Sequence, residues 1–473
     1  MMGLDSIETD YLIVGSGAVG MAFADVLFHE TDHSMIVVDR HHAPGGHWND
    51  AYPFLQLHQA SATYGVNSRD LGDGLRDPTV LNLGMCERAS SASILFYYER
   101  LMREFVASGR LRYFPMCEYD GDFDERHLLT SLTSGKKAEP HVRDKVVDTS
   151  HLNTAVPSAQ PPKYRVAAEL DCVPPNALAR VKWPPTGYVV IGAGKTAIDA
   201  CLWLLDNQVS PDDICWIMPR DPWLQNRANL QPGEEFFEQT FGAFAIQAEV
   251  AANAETIDDL FVRLEATGQL LRLNTDVTPT MYHGAIVSLA ELEVLRQIKN
   301  VVRMGRVQSI ERGRILLERG SVESDPQRLY IDCSARGVER RAAVPVFAGR
   351  RITPQMVRAL QPTFSAALIA HVEVSFDGDA EKNEICTPIP MSDAPEDWLS
   401  MMLMNLVNQG RWRRDARLMD WIVHSRLDGF SGLARKVLPD DTEKLALLHR
   451  YGHAASSAVP NLTRLISTAP AAH

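Results

Sequence analysis

The sequence predicts an α/β fold with two parallel-sheet domains, the first interrupted by the second, and a helical C-terminal extension. One observation is a repeated local pattern: a short apolar run, a glycine-rich turn and an apolar-striped helix occupy residues 11–27 and again residues 188–205. Each copy is typical of a Rossmann-like dinucleotide-binding domain, in which glycines let the chain turn tightly from strand to helix. The other observation is that the pattern is mainly helical from residue 397 onward.

The length and charge of the chain limit its function. Its 473 residues correspond to about three domains of ordinary size. Lysine and arginine together number 47, against 60 aspartates and glutamates, and the net charge is −13. A surface of this sign repels phosphate backbones and anionic lipids, so we expect neither nucleic acid nor membranes as partners.

The seven cysteines are scattered, and no two have the C-x-x-C spacing. A redox dithiol, a zinc ribbon and an iron–sulfur cluster therefore lack their usual pattern. His41, His42 and His47 lie close together in the sequence, but no cysteine or paired carboxylate completes a metal site. Neither a signal peptide nor a membrane-spanning apolar run is visible. We therefore expect a cytoplasmic protein with reduced thiols and no metal.

The first glycine-rich turn follows a strand predicted at residues 11–14. Its fingerprint glycines are Gly15, Gly17 and Gly20. Gly15 permits the turn, Gly17 lets the backbone approach a pyrophosphate, and Gly20 lets the helix pack closely on the strand. The N-terminus of that helix is then free to bind the phosphates. Asp39 follows the next predicted strand, at residues 35–38, where a carboxylate can accept hydrogen bonds from a ribose.

The second turn repeats this arrangement with Gly192, Gly194 and an alanine in the third position. The residue after the following strand is Arg220 instead of an acid, which favours the 2′-phosphate of NADP over the free ribose of NAD. Lys195 begins the helix, where a cation is unfavourable unless an anion binds nearby. Alternatively, Arg220 is a solvated cation that pairs with Asp221.

The remaining elements and the domain limits follow from apolar periodicity. The predicted elements are a helix at 93–108, a strand at 111–114, a proline-rich linker at 157–185, helices within 234–270 and a strand at 329–333. The predicted domains are the first part of the first domain at 1–180, the inserted second domain at 181–320, the second part of the first domain at 321–395 and the helical extension at 396–473.

The residues after the second predicted strand resemble a known family. Asp39 is followed after five residues by Gly-Gly-His-Trp at 45–48. This resembles the acid-x5-Gly-Gly-x-Trp stretch of flavin-containing monooxygenases and related class B flavoprotein monooxygenases. Tyr64 and Asn67 resemble that family's Tyr-x-x-x-x-Asn region, with a shorter spacing.

Two other regions depart from the family. Residues 164–171 lack the glycine and histidine that usually precede the second turn, and residues 334–337 replace the usual Ala-Thr-Gly-Tyr by Ser-Ala-Arg-Gly. The resemblance nevertheless implies FAD at the first turn and NADPH at the second. The expected FAD-binding residues are Gly15, Gly17, Gly20, Asp39, Arg40, Gly46, His47 and Trp48. The expected NADPH-binding residues are Gly192, Gly194, Lys195, Thr196 and Arg220.

The activity implied by the resemblance is a monooxygenation. In this family NADPH reduces FAD, and O2 then adds to the flavin as a C4a-hydroperoxide that transfers one oxygen atom to a small substrate. The family favours nitrogen or sulfur as the atom oxygenated. Because the flavin supplies the chemistry, residues near it should be hydrogen-bond donors and apolar walls. The candidate catalytic residues are Asn67 as an amide donor, His58 as a proton donor near neutral pH, and Tyr64.

The alternatives use the same two turns. Each candidate catalytic residue could instead cap backbone groups in a loop. The chain could be an FAD-dependent NAD(P)H reductase or dehydrogenase without productive oxygen transfer, or a non-catalytic flavoprotein that senses NADPH. We expect a small molecule and O2 as its partners, and a homo-oligomer is compatible with the sequence. No pattern identifies the substrate.

Overall fold

The computed structural model describes residues 7–123, 125–335 and 337–468. Up to residue 148 the regular elements are β1 (Glu8–Val14), α1 (Ala18–Glu30), β2 (Met35–Val38), α2 (Ser91–Ala107), β3 (Leu111–Phe114), β4 (Cys117–Gly121), β5 (His127–Ser131), β6 (Lys137–Ala138) and β7 (His141–Asp148).

Elements of the central part run from residue 154 to residue 332. They are β8 (Thr154–Ala155), β9 (Arg165–Val166), β10 (Cys172–Val173), β11 (Tyr188–Ile191), α3 (Lys195–Asp206), β12 (Ile214–Ile217), β13 (Leu224–Asn226), α4 (Phe237–Asn253), α5 (Ile257–Ala266), β14 (Leu270–Leu271), β15 (Ile286–Val287), α6 (Leu289–Leu295), β16 (Val301–Val302), β17 (Val307–Glu311), β18 (Arg314–Leu317), β19 (Gly320–Glu323) and β20 (Leu329–Asp332).

The last part of the chain is mainly helical. Its elements are β21 (Gly337–Val338), β22 (Phe347–Ala348), β23 (Arg351–Ile352), α7 (Pro362–Ser375), α8 (Asp379–Ile385), α9 (Pro395–Trp412), α10 (Ala416–His424), α11 (Ser431–Arg435) and α12 (Thr442–Thr468).

The first domain is built on a parallel sheet in the order β23-β7-β1-β2-β3, with β22 antiparallel at one edge. Its central strands are short apolar runs because both faces of the sheet are covered. One face packs against α1, α2 and α7, and the other against the antiparallel strands β5 and β6. The strands predicted around residues 11–14, 35–38 and 111–114 and the helix predicted at 93–108 are confirmed.

The second domain is built on a parallel sheet in the order β10-β20-β11-β12-β16. Helices α3 and α6 cover one face, and strands β17 and β18 cover the other. Strands β7 and β23 are paired neighbours in the first sheet, although the whole second domain lies between them in the sequence. The predicted fold class, a first domain interrupted by a second and followed by helices, is therefore confirmed.

The sheet pairings correct two predicted boundaries. β20 lies between β10 and β11 in the second sheet, although the sequence assigned residues 321–395 to the first domain. β10 comes from the proline-rich stretch interpreted as a linker, so the boundary at residue 180 is also wrong. The reason is physical: partners in a parallel sheet are far apart in the chain, and a short strand carries no local mark of its neighbours.

The C-terminal extension contacts both domains. The buried residues of α12 recur every three or four positions, so one face of the helix packs against α4 and α9. Leu418 and Ile422 of α10 are buried in the core of the first domain. Among the helices of the described ranges, none is sufficiently long and apolar to cross a membrane.

Candidate functional site

Each parallel sheet carries a glycine turn at the carboxyl end of a central strand, where open α/β sheets bind ligands. In the first turn, Gly15 has a φ of 103°, and a Cβ at Gly20 would lie 2.0 Å from the Gly15 carbonyl oxygen. Glycine is therefore required at both positions. Gly17 precedes α1 and offers no side chain to cap its first N–H groups.

A second loop closes over this turn. The amide of Gly45 donates to the carbonyl of Ser16 at 2.8 Å, and a Cβ on Gly46 would lie 2.9 Å from the Cα of Gly17. Gly17 and Gly46 therefore face each other, and both are half-buried. A backbone cradle at an uncapped helix N-terminus is what a pyrophosphate requires, so these residues fit the pyrophosphate of FAD.

Asp39 lies beside the turn, and protein groups already satisfy its carboxylate. Oδ2 accepts hydrogen bonds from the amide and the hydroxyl of Ser16, at 2.6 and 2.8 Å. Oδ1 accepts from the amide and Nδ1 of His41, at 2.8 and 2.9 Å. A carboxylate has about four acceptor positions, so a ribose hydroxyl must replace one of the side-chain donors.

His41 was not among the predicted binding residues. Its Nε2 lies 2.8 Å from Oδ2 of Asp50, so the imidazole bridges two carboxylates. The hydrogen bond to Asp39, together with the one to Asp50, raises the pKa of His41 to about 9. A charged imidazolium therefore neutralises Asp39 at neutral pH.

The other predicted residues of the first site differ in exposure. The side chain of Arg40 is 71% exposed, and its nearest charged partner is Glu118 at 3.6 Å. The His47 ring packs 5.1 Å from that of Trp48, between ring centroids, and burial lowers the pKa of His47 to about 4. Nε1 of Trp48 donates to the hydroxyl of Tyr64 at 2.9 Å, which links the first site to a candidate catalytic residue.

The three candidate catalytic residues face different neighbours. Tyr64 is buried, and burial raises its pKa to about 12. Oδ1 of Asn67 accepts from the hydroxyl of Ser425 in the extension at 2.7 Å. Nδ1 of His58 lies 3.4 Å from the amide of Ile286 in the second domain. Burial and three nearby cations hold the pKa of His58 well below its usual range, which favours the neutral imidazole.

The second turn is fixed by the core of its own domain. Gly192 has a φ of 135°, and a Cβ there would lie 2.6 Å from the carbonyl oxygen of Cys333. Nε1 of Trp216 donates to the Gly192 carbonyl at 2.7 Å. Gly194 precedes α3 without a side-chain cap, and a Cβ there would meet no atom within 4 Å. This uncapped, open turn, with Thr196 half-buried beside it, fits the pyrophosphate of a second dinucleotide.

Lys195 is directed along α3 and not over the turn. Its Nζ contacts Oδ2 of Asp199, one helical turn away. The hydroxyl of Tyr52, from the first domain, donates to the same oxygen at 2.7 Å. Lys195, which we expected to bind a phosphate, therefore pairs with the carboxylate of Asp199 in this structure.

Arg220 is also paired, but not with the neighbour suggested by the sequence. Its guanidinium donates two hydrogen bonds to the carboxylate of Asp393, at 3.1 and 2.7 Å. Asp221 pairs instead with Arg303, through contacts of 2.9 to 3.1 Å. The alternative of an Arg220–Asp221 pair is therefore wrong.

A buried ionic cluster joins the two domains near His58. Arg227 is 2% exposed and donates to Oε2 of Glu291 at 2.6 Å and to the carbonyl of His58 at 3.0 Å. Asn82 donates to Oε1 of Glu291 at 2.9 Å, and Nη1 of Arg88 lies 3.5 Å from the same oxygen. Sequence reasoning missed this cluster because no motif marks partners that stand 64 to 209 positions apart.

Comparison with known proteins identifies close relatives of the chain. No protein-family model matches it. The uncharacterized proteins Rv2000 and MT2056 of Mycobacterium tuberculosis and Mb2023 of Mycobacterium bovis are each 44% identical over 467 residues. These alignments cover 98% of this chain and 86% of each relative.

The solved structures that the chain resembles include flavin monooxygenases. A polycyclic ketone monooxygenase from the fungus Thermothelomyces thermophila matches 99% of this chain and 89% of its own, with 11% identity and a TM-score of 0.49. A closed cyclohexanone monooxygenase matches 96% and 99%, with 13% identity and a TM-score of 0.48. A double variant of a Stenotrophomonas maltophilia flavin monooxygenase matches 80% and 100%, with 13% identity and a TM-score of 0.45.

Proposed function

The chain belongs to the same family as the Mycobacterium tuberculosis protein Rv2000, and we propose that it is an FAD- and NADPH-dependent monooxygenase of small molecules. The observation that carries this proposal is the pair of uncapped glycine turns at Gly17 and Gly194, each at the carboxyl end of a parallel sheet. Two such turns in one chain provide for two dinucleotides. The stretch that resembles flavin-containing monooxygenases, residues 39–48, surrounds the first turn.

We assign FAD to the first turn because its surroundings suit a cofactor that stays bound. Gly46 closes over Gly17 from the opposite side, and Asp39 and Trp48 beside it are buried. The contact between these two backbone segments partly encloses the turn, so a cofactor bound beside both segments would exchange slowly. The space beside Gly194 is open, which suits a nucleotide that exchanges in every turnover. NADPH is therefore assigned to the second turn.

When bound, FAD would accept a hydride from NADPH and supply the chemistry with O2. The chain contributes positioning and hydrogen bonding. In this proposal Asn67 and Tyr64 face the reacting region, with Tyr64 fixed by the hydrogen bond from Trp48. A neutral His58 adds one N–H donor without bringing a charge. The sequence resemblance favours a nitrogen or sulfur atom as the acceptor of oxygen.

Oxygen-isotope labelling tests the activity directly. The purified chain is supplied with NADPH, isotopically labelled O2 and a panel of amines, sulfides and ketones. A monooxygenase places one labelled oxygen atom in the product for each NADPH consumed. Recovery of all the label as hydrogen peroxide would support a reductase or oxidase, and NADPH binding without oxidation would support a sensor. A colourless chain that cannot be reconstituted with FAD contradicts all three.

Two matched variants test the assignment of the cofactors. Gly17 and Gly194 have extended backbones with φ of −71° and −87°, which valine adopts readily. Gly17→Val places side-chain atoms between the two facing glycines, so flavin absorbance should be lost while NADP+ still binds. Gly194→Val should retain the flavin and lose NADP+. Retention of both cofactors by both variants would contradict the assignment, and the opposite pattern would exchange the two sites.

A further inference from the structure

Near the end of β12, the side chains of Arg220, His283 and Arg340 surround the carboxylate of Asp393. Asp393, in the segment just before α9, accepts from Nη1 and Nη2 of Arg220 at 3.1 and 2.7 Å. Nε2 of His283 lies 2.7 Å from Oδ1 of Asp393, and Nη1 of Arg340 lies 3.7 Å from Oδ2. The three basic residues come from separate parts of the chain. Together they form an anion site, and the carboxylate of Asp393 occupies it.

The segment that carries Asp393 is held by its backbone. Its amide donates to Oδ2 of Asp397 at 2.9 Å, and its carbonyl accepts from the amide of Tyr282 at 2.9 Å. Arg340 donates to the same Asp397 oxygen at 2.9 Å. The side chains of Asp393, Arg220, His283 and Arg340 are 30% to 49% exposed, so a small anion from solvent can reach them.

The position of this cluster corresponds to one end of the second dinucleotide site. β12 runs parallel to β11, and the Gly192 amide donates to the carbonyl of Ile217, the last residue of β12, at 2.9 Å. Arg220 therefore stands just beyond the strand next to the turn, where this fold binds a ribose 2′-substituent. Two carboxylate oxygens on a guanidinium reproduce the contacts that a phosphate makes there.

We propose that Asp393 occupies the 2′-phosphate position of the second dinucleotide site and is displaced from Arg220 when NADPH binds. This rests on the proposed function, because it takes the second turn as the NADPH site. Asp393 is then a specificity-determining residue: it satisfies the cations when no phosphate is present and competes with any nucleotide that carries one. The segment before α9 is the part of the chain that responds to NADPH.

Equilibrium binding of two fragments tests the proposal without turnover. The fragments 2′,5′-ADP and 5′-AMP differ only in the 2′-phosphate. Asp393→Asn and Asp393→Ala remove the competing charge, so affinity for 2′,5′-ADP should rise about fivefold, the scale of a partly exposed ion pair, while affinity for 5′-AMP stays constant. Arg220→Ala should abolish the difference between the fragments. Glu249→Gln is the matched control, since Glu249 makes a similar two-bond pair with Arg450 elsewhere, with both distances 2.6 Å.

Hydrogen exchange supplies a second measurement. Exchange in residues 391–397 should increase when NADP+ is added and should not change with NAD+. Equal or weaker binding of 2′,5′-ADP by both Asp393 variants would overturn the proposal, because Asp393 would then tolerate the phosphate or position Arg220 for it. That result would leave the proposed function intact. If the wild-type chain and every variant bind none of these nucleotides, the second turn is not a dinucleotide site and the proposed function fails as well.

Discussion

His41 connects the turn of the first site to a second carboxylate. Its two ring nitrogens lie 2.9 Å from Oδ1 of Asp39 and 2.8 Å from Oδ2 of Asp50. Asp39 in turn holds the amide and hydroxyl of Ser16, the residue between the first two fingerprint glycines. The charge on His41 therefore bears on the geometry of the glycine turn itself.

We expect His41 to make stability depend on pH. An unperturbed histidine has a pKa of about 6.5, whereas the two carboxylates raise that of folded His41 to about 9. A raised pKa stabilises the fold fully below the unfolded value and loses this contribution as the pH rises through the folded value. The difference in melting temperature between wild type and His41→Gln should thus be largest near about pH 6 and vanish above about pH 10. A difference that does not vary with pH would contradict a charged His41.

Lys195 and Arg220 show how far sequence reasoning reaches at single residues. Their positions, at the start of α3 and just after β12, followed from the strand–turn–helix pattern. The partner of Lys195 could also be predicted from the sequence, because an acid four residues later lies on the same helix face. Asp393 could not, because it stands 173 positions from Arg220 and only the folded chain brings them together.

Among the elements, the turn after α10 holds the loop of the candidate catalytic residues. Arg426 donates to the carbonyls of Val66 and Tyr64, at 2.5 and 2.9 Å, and to Oδ1 of Asp70 at 2.9 Å. Together with the Ser425 hydroxyl on Asn67, these bonds make the extension a support for residues 64–70. The sequence predicted helices here but not their contact with this loop.

Removing the Arg426 guanidinium should loosen that loop. Its side chain is only 15% exposed, so Arg426→Met leaves backbone carbonyls without donors and should lower the free energy of unfolding by about 2 kcal/mol. Arg435→Met is the control, because the Arg435–Asp420 pair is about 60% exposed on both sides and should contribute less than about 1 kcal/mol. Urea unfolding measures both. Equal effects of the two substitutions would show that Arg426 does not support the loop.

The elements that the sequence predicted share a local cause. β1, α1, β11 and α3 each follow from apolar spacing around a glycine turn, and such spacing is visible within about 15 residues. β20 also has an apolar pattern, so its existence was predicted, but its sheet was not. Membership in a parallel sheet depends on which distant strand lies beside it. The domain limits failed for the same reason.

In the whole molecule, polar contacts as well as apolar packing set the two domains against each other. Tyr52 of the first domain reaches Asp199 of the second, 147 positions away, and the carbonyl of His58 accepts from Arg227, 169 positions away. The Phe54 ring stacks on that of Trp203 with centroids 4.9 Å apart. These contacts fix the separation of the two glycine turns, which the proposed hydride transfer between two dinucleotides requires.

Arg227 and Glu291 form the second-domain side of the buried ionic cluster, and the coupling between these two charges can be measured. Arg227→Met leaves the Glu291 carboxylate buried without its guanidinium partner. This substitution should lower the free energy of unfolding by about 3–5 kcal/mol. Glu291→Gln should also destabilise, because it leaves Arg227 charged in the same place. The double variant removes both buried charges, so its loss should be smaller than the sum of the two single losses, by about 1–3 kcal/mol. The four proteins are compared by denaturant unfolding. Strictly additive losses would mean that Arg227 and Glu291 do not stabilise each other in the folded chain.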